Sequence, residues 1–348
     1  MEGAAMTIER LGWLPALLLS VAVVMAHDVP ARAATVIGVV GAPGEPQFER
    51  AFSDWAAAWS EAATAGNAAW VCIGAPPSPT NEMQASDREL LMHALEREEK
   101  DTEEPLWVVL IGHGTFDGND AKFNLRGPDV SAAELNRWLE SFGRPIAIIN
   151  CASASGPFVN ALSGTNRVVL SATRSGYEYD YARFGKYLAE AMQRRVDDLD
   201  KDEQVSLLEA FLAASNRTQE FYDEQERLST EHALIDDNAD GLGTPGNWFR
   251  GIHATRRAQD DTELDGVEAA RWVLVPSPFE QEIPPEIRRQ RDELETKLAE
   301  LRERREEYTE KAYIAAIEPI LIELALLYER LELRGVGFEA GPTDPPSP

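Results

Sequence analysis

Cysteine is almost absent from this 348-residue chain, which carries only Cys72 and Cys151. Two thiols cannot build the disulfide framework of a small secreted scaffold, although a single Cys72–Cys151 bridge is conceivable in an oxidising compartment. Basic charge is scarce as well. Lys plus Arg number 33 against 60 Asp plus Glu, and a net charge of -27 repels phosphate backbones and anionic lipid, which argues against nucleic acid as a partner. Such acidity solubilises a surface and also suits a secreted or cation-binding protein. The histidines His113, His232 and His253 lack the clustered spacing of a zinc site. The glycine-rich turn "GAPGE" at 41–45 has neither a phosphate-loop lysine nor a dinucleotide fingerprint, so a nucleotide-binding α/β domain ranks last among the readings. Internal repeats are absent too, while a hydrophobic content of 44% excludes wholesale disorder.

No apolar run is long and clean enough to predict a membrane span in the mature chain. The amino-terminal run 11–26, "LGWLPALLLSVAVVMA", is short and interrupted by proline. It follows Arg10 and precedes Ala31-Arg32-Ala33, the pattern of a secretory signal peptide over 1–33 with cleavage before Ala34. The expected location is secreted or periplasmic, with an uncleaved anchor as the minor alternative. No cysteine follows closely on the run, which excludes a lipoprotein anchor.

From Ala34 short apolar runs alternate with amphipathic ones. Strands are predicted over 35–41, 68–74, 106–112, 145–150 and 167–172, and helices over 48–63, 87–99, 131–142 and 157–163. Ser131 and Glu134 form a capping-box signature. Strands this apolar are covered on both faces, which predicts an α/β fold with a mostly parallel sheet flanked by helices. Cys72, inside "AAWVCIG", reads as a buried core thiol. This domain is expected over 34–255, followed by a linker or edge strand over 256–282. Residues 283–333 form a helical region, with Ile287, Leu294, Leu298 and Leu301 at heptad-like spacing, and 334–348 a disordered tail. The helical region reads as a coiled coil or a helical hairpin, and self-association through it is the one assembly expected.

The chemistry-bearing residues stand at strand ends. "LIGHG" ends one strand in His113 between Gly112 and Gly114, and "IINCASASG" ends the next in Cys151 followed by small residues. Carboxyl edges of parallel strands are where α/β sheets keep their ligand crevices. A thiol and an imidazole emerging from consecutive strands make a dyad, with Cys151 as nucleophile and His113 as general acid/base. Without a side chain, Gly114 lets its N–H approach an oxyanion, and the Cys151 N–H is the second candidate donor.

"LIGHGTFDG" followed by "IINCASASG" resembles the histidine–glycine and cysteine blocks of the caspase-like cysteine peptidases, the grouping of legumain, caspases, gingipain and separase. The bacterial legumain-type branch is the nearest in pattern. The resemblance spans about 34–250 and includes "SATRSG" and "TEHALIDDNADGLGTP". It implies a caspase-like three-layer α/β fold, a peptide or protein substrate, and a Cys151 acyl-enzyme, with Gly114 and Cys151 amides as the oxyanion hole. The pattern departs from legumain at Ile149, where legumain carries an acid lining its specificity pocket, and in 39–45, which lack legumain's histidine-orienting asparagine. Arg174, Glu178 and Asp180 are candidates for a pocket wall.

The dyad requires no cofactor, but two acidic loops have calcium spacing. Asp198, Asp200, Asp202, Ser206 and Glu209 occupy positions one, three, five, nine and twelve of an EF-hand-like loop, with Glu203 where the turn glycine belongs. Asp236, Asn238 and Asp240 repeat the start of the pattern. A secreted cysteine endopeptidase is thus the leading expectation, and a catalytically silent caspase-like scaffold that binds peptides or partner proteins is the alternative.

Overall fold

The computed structural model describes residues 34–75, 85–260 and 262–333. The expected signal peptide and the expected disordered tail lie outside the described residues. The chain opens with β1 (Thr35–Val40), α1 (Pro46–Ala65) and β2 (Ala69–Ile73), then passes through α2 (Asp87–Arg97) into β3 (Leu106–Ile111). A small three-stranded excursion follows, β4 (Gly114–Phe116), β5 (Ala121–Phe123) and β6 (Val130–Ser131), and α3 (Ala132–Leu139) returns the chain to β7 (Ile146–Asn150). Next come α4 (Gly156–Leu162), β8 (Arg167–Ser171), α5 (Phe184–Ala191) and α6 (Leu207–Glu224). The short strands β9 (Leu234–Asp236), β10 (Thr244–Pro245), β11 (Phe249–Arg250) and β12 (His253–Ala254) precede α7 (Pro278–Glu282), α8 (Pro285–Glu303) and α9 (Glu310–Leu333).

The main sheet has seven strands in the order β10-β9-β8-β7-β3-β1-β2. The five from β8 to β2 are parallel, and β9 and β10 add an antiparallel edge. Every residue of β1, β3 and β7 is buried, as strands covered on both faces must be. Alternation sorts their side chains. Val36, Trp107, Val109, Ala147 and Ile149 join the core under α1, α5 and α6, while Ile37, Val108, Ile146 and Ile148 join the one under α2, α3 and α4. Each fully buried aliphatic side chain contributes about 2 kcal/mol relative to exposure. The predicted α/β class with helices on both faces is therefore the one observed.

Three helices begin with the same device. Ser86, Ser131 and Ser206 each cap the third helical N–H while Glu89, Glu134 or Glu209 reaches back to the cap amide. At the amino edge of the sheet the buried Arg144 donates to the carbonyls of Glu99, Glu104 and Pro105 and pairs with Glu98 at 3.0 Å. The Pro105 carbonyl also accepts from the Thr35 N–H at 3.2 Å, so the guanidinium meets a second lone pair there.

The segment expected as a linker or edge strand packs onto the core instead. Asp265, Ala269, Leu274 and Ser277 are buried, and Val273 forms an isolated antiparallel bridge with Ser206. The C-terminal helices form a hairpin with its own small core, in which Ile283 and Ile287 meet Leu327 and Leu331. No helix among the described residues is long and apolar enough to cross a membrane.

Candidate active site and acidic loops

Parallel pairing of β3 with β7 sets Leu110 opposite Asn150. Three residues further along each chain stand His113 and Ser153. The contact between the two strand ends is tight: the Gly114 N–H donates to Ser153 Oγ at 3.2 Å, and that hydroxyl in turn lies 3.3 Å from the Gly114 carbonyl. A Cβ at position 114 would collide with the Ser153 carbonyl oxygen, so glycine is required there by the approach of the neighbouring backbone.

His113 is half-buried between α1 and the loop before α5. Its ring packs edge-on against Phe48 and Phe52, with centroids 4.8 and 5.1 Å away, and Tyr181 lies 6.1 Å away. Burial among these rings pushes the imidazole pKa below its usual value, and a hydrogen bond to the Pro43 backbone and the charge of Glu45 oppose the shift. Proline has no N–H, so the group that opposes the shift there is the Pro43 carbonyl.

The structure corrects the expected role of Cys151. Its N–H donates to the Leu110 carbonyl at 2.9 Å, so the residue extends the β3–β7 ladder and its amide is not free for an oxyanion. Ladder parity then turns the side chain inward, after Ala147 and Ile149. It is wholly buried, and Gly185 of α5 packs so closely that an added Cβ there would meet Cys151 Cβ at 2.5 Å and Trp55 Cζ3 at 2.8 Å. Desolvation drives the thiol up to about 12, and no charged partner offsets it. The conceivable Cys72–Cys151 bridge is not formed, since both cysteines are free. Cys72 on β2 is separated from β7 by β1 and β3, a distance of roughly 14 Å at strand spacing, far beyond disulfide reach. Nor is Cys72 a core thiol: it is exposed on the edge strand, although the surrounding chain still removes enough water to raise its pKa against the pull of Arg126.

The position that sequence reasoning missed is Ser153. Its neighbours are tied down, with the Ala152 N–H on Asn150 Oδ1 and the Ala154 N–H on the Glu178 carbonyl. The Ser153 N–H has no acceptor among the described residues. Ala154 takes φ 53°, a left-handed bend that a residue with a Cβ adopts only under constraint.

Of the expected pocket residues, Glu178 is an anchor. Its carboxylate accepts from the Arg174 and His232 amides, pairs with the Arg174 guanidinium at 3.1 Å, and meets His232 Nδ1 at 2.7 Å. Asp180 is exposed, as are the rim aromatics Tyr177 and Tyr179.

The two acidic loops differ. Asp198, Asp200 and Asp202 bring their carboxylates within 4.8 Å of one another. Glu203 takes φ 69°, so the sharp turn forms without glycine. Desolvation and the charges of Asp202 and Glu209 push Asp200 up to about 7. The expected ligands Ser206 and Glu209 are otherwise engaged. Ser206 caps α6, and Glu209 accepts from Ser206 with one oxygen and from the Leu199 and Asp200 amides with the other. In the second loop Asp236 is buried at the end of β9, opposite Val169, and burial pushes it up to about 6. This places Asp236, Asn238 and Asp240 at the amino edge of the parallel strands, away from His113.

No model of a protein family matches the chain, and no curated protein matches it. Solved structures it is similar to include the Drosophila initiator caspase Dronc, at TM-score 0.38 and 14% identity over 60% of this chain and 81% of that one. Caspase-1 from Spodoptera frugiperda is similar at TM-score 0.36 and 10% identity, over 59% of this chain and 86% of that one. At such scores and identities neither likeness bears on activity or substrate, and the chemistry rests on the geometry above.

Proposed function

We propose that this protein is an exported hydrolase of peptide bonds on a caspase-like α/β scaffold, in which the Ser153 hydroxyl takes the role first assigned to the Cys151 thiol. The observation that carries it is the contact of Ser153 Oγ with the Gly114 N–H at 3.2 Å, one residue from His113, while Cys151 is sealed in the core. Export is supported by the charged start, short apolar run and Ala31-Arg32-Ala33 of the amino terminus. In the resting state the hydroxyl is held by Gly114 and not by His113. An incoming carbonyl oxygen takes over the Gly114 N–H, and the freed hydroxyl turns to the imidazole.

The neutral imidazole removes the hydroxyl proton as Oγ attacks the scissile carbon. The resulting oxyanion is met by the Gly114 and Ser153 N–H groups. Collapse expels the amine, which takes its proton from His113 and leaves a Ser153 ester. A water activated by the same imidazole hydrolyses that ester, releasing the acid and restoring the hydroxyl. Ser153 is buried, so substrate entry requires the 174–181 loop to lift, and the Glu178 carbonyl bond to Ala154 is its latch.

The test is incubation with a mixed peptide library and with a fluorophosphonate that labels activated serines. Labelling and cleavage are expected in the wild type and in Cys151→Ala, and neither in Ser153→Ala. Loss in a folded Cys151→Ala, or survival in Ser153→Ala, overturns the assignment. A wild-type protein that neither labels nor cleaves overturns hydrolysis itself in favour of a silent peptide-binding scaffold.

A further inference from the structure

Asp236 stands in an unusual position for a carboxylate. It is 1% exposed, and neither of its oxygens has a hydrogen-bond partner among the described residues. The Ser163 hydroxyl and the Ala239 N–H approach it without reaching hydrogen-bond geometry, and the carboxylates of Asp240 and Asp237 add negative charge nearby. The next carboxylate along shows the contrast. Asp237 accepts from the Gly266 and Ala269 amides, both at 2.8 Å, so the same segment satisfies one buried carboxylate fully and leaves its neighbour bare. A buried carboxylate without donors is costly, and the cost is removed when a cation supplies the missing positive charge.

The loop beyond Asp236 is shaped for one. Residues bearing side-chain oxygens alternate at 236, 238 and 240, and Ala239 and Gly241 take φ 65° and 75°, which curls the chain back on itself. The curl is held from outside. Asn238 Nδ2 donates to the Glu263 carbonyl at 2.7 Å, the Gly241 N–H donates to Ser163 Oγ at 3.0 Å, and the Asn160 amide donates to the Gly241 carbonyl. Asn238 Oδ1 and Asp240 Oδ1 each accept one N–H, from Asp240 and Leu242, and retain a lone pair each. The donor set is oxygen only, with no histidine or cysteine in the loop, which selects a hard cation over zinc. Several carboxylate and amide oxygens on a curled backbone match calcium's six to eight flexible contacts better than the rigid, water-rich octahedron of magnesium.

We propose that Asp236, Asn238 and Asp240 bind a calcium ion whose role is to fix the carboxyl end of α4. That helix starts at Gly156, three residues beyond Ser153, and ends against this loop at Asn160 and Ser163. The ion therefore braces from below the element that supports the site edge. The binding does not depend on the chain being a hydrolase.

Full-length protein stripped with a chelator is titrated with calcium by calorimetry, and its thermal unfolding is followed with and without the ion. Variants Asp236→Asn and Asp240→Asn are compared with Asp198→Asn/Asp200→Asn, which isolates the other acidic loop. Calcium is expected to raise the melting temperature of the wild type and of the Asp198/Asp200 variant. In Asp236→Asn and Asp240→Asn the affinity at this site falls about tenfold or more and the thermal shift disappears. In chelator Asp236→Asn melts no lower than the wild type, because the uncompensated charge is gone. Equal calcium stoichiometry and thermal shift in wild type and both loop variants overturns the proposal, as does absence of binding at millimolar calcium. Should Asp236→Asn fail to fold, the partly exposed Asp240→Asn decides the matter alone.

Discussion

Replacing Cys151 by alanine removes one sulfur from a site enclosed by Trp55 and Gly185. The lost transfer energy is close to that of one methylene, about 0.8 kcal/mol, and the small cavity left behind brings the total to about 1–2 kcal/mol. In a chain of this size that lowers the melting temperature by a few degrees. Serine, nearly isosteric, is expected to be worse than alanine. Its hydroxyl points into the apolar core under α1 and α5, and an unmet buried hydroxyl adds about 1–3 kcal/mol. Urea unfolding of the three proteins gives this ranking directly, with unchanged slopes as the sign that only stability has moved. Thiol titration of the wild type supplies the second readout. One equivalent, Cys72, reacts in the native state and the second only on unfolding. Two fast-reacting thiols, or a Cys151→Ser variant more stable than Cys151→Ala, would refute the placement of this residue in the core.

Gly114→Ala is expected to cost about 1–3 kcal/mol from overpacking against the Ser153 carbonyl, and to abolish fluorophosphonate labelling even where the protein stays folded; labelling at the wild-type rate would sink the role of that contact. The acid limb of the pH–rate profile should lie below the ordinary histidine value of about 6.5. Burial lowers the pKa of His113, so the neutral base persists to lower pH, and rates fall only once the pH drops through that lowered value. A limb above 6.5 contradicts the environment described for the ring. Arg144→Met removes the cation that satisfies three carbonyls and Glu98 at the amino edge, and about 3 kcal/mol of stability should go with it in denaturant unfolding, against less than about 0.5 kcal/mol for an exposed arginine.

The main sheet was readable because its strands are runs of β-branched and aromatic residues, and their predicted bounds differ from the observed ones by a residue or so. Ser131 with Glu134 announced α3 by a local bond, and the structure makes it. What periodicity could not reveal is the ending of β7. The apolar run stops at Asn150, yet the ladder continues one residue further, and that residue decides whether a thiol faces the core or the edge. Counting parity from Ala147 and Ile149 places Cys151 inside; counting register from His113 reaches Ser153. The strands β9 and β10 carried no signal, being two or three residues long, with β9 paired to β8 from far along the sequence. Residues 256–265 read as a linker because they are charged, and 269–276 as an edge strand or an extended arm because they are apolar. Their burial depends on Asp237, whose two bonds to the Gly266 and Ala269 amides are long-range and invisible to local pattern.

The closest approach at the sheet edge is between backbones, Gly114 against the Ser153 carbonyl, and the Ser153 hydroxyl is hydrogen-bonded to Gly114 beside it. The backbone approach itself requires glycine at 114 whether position 153 carries oxygen or sulfur. Serine and cysteine codons can differ by a single base, so hydroxyl and thiol chemistry lie one mutational step apart on this scaffold, and lineages can cross between them without rebuilding the fold.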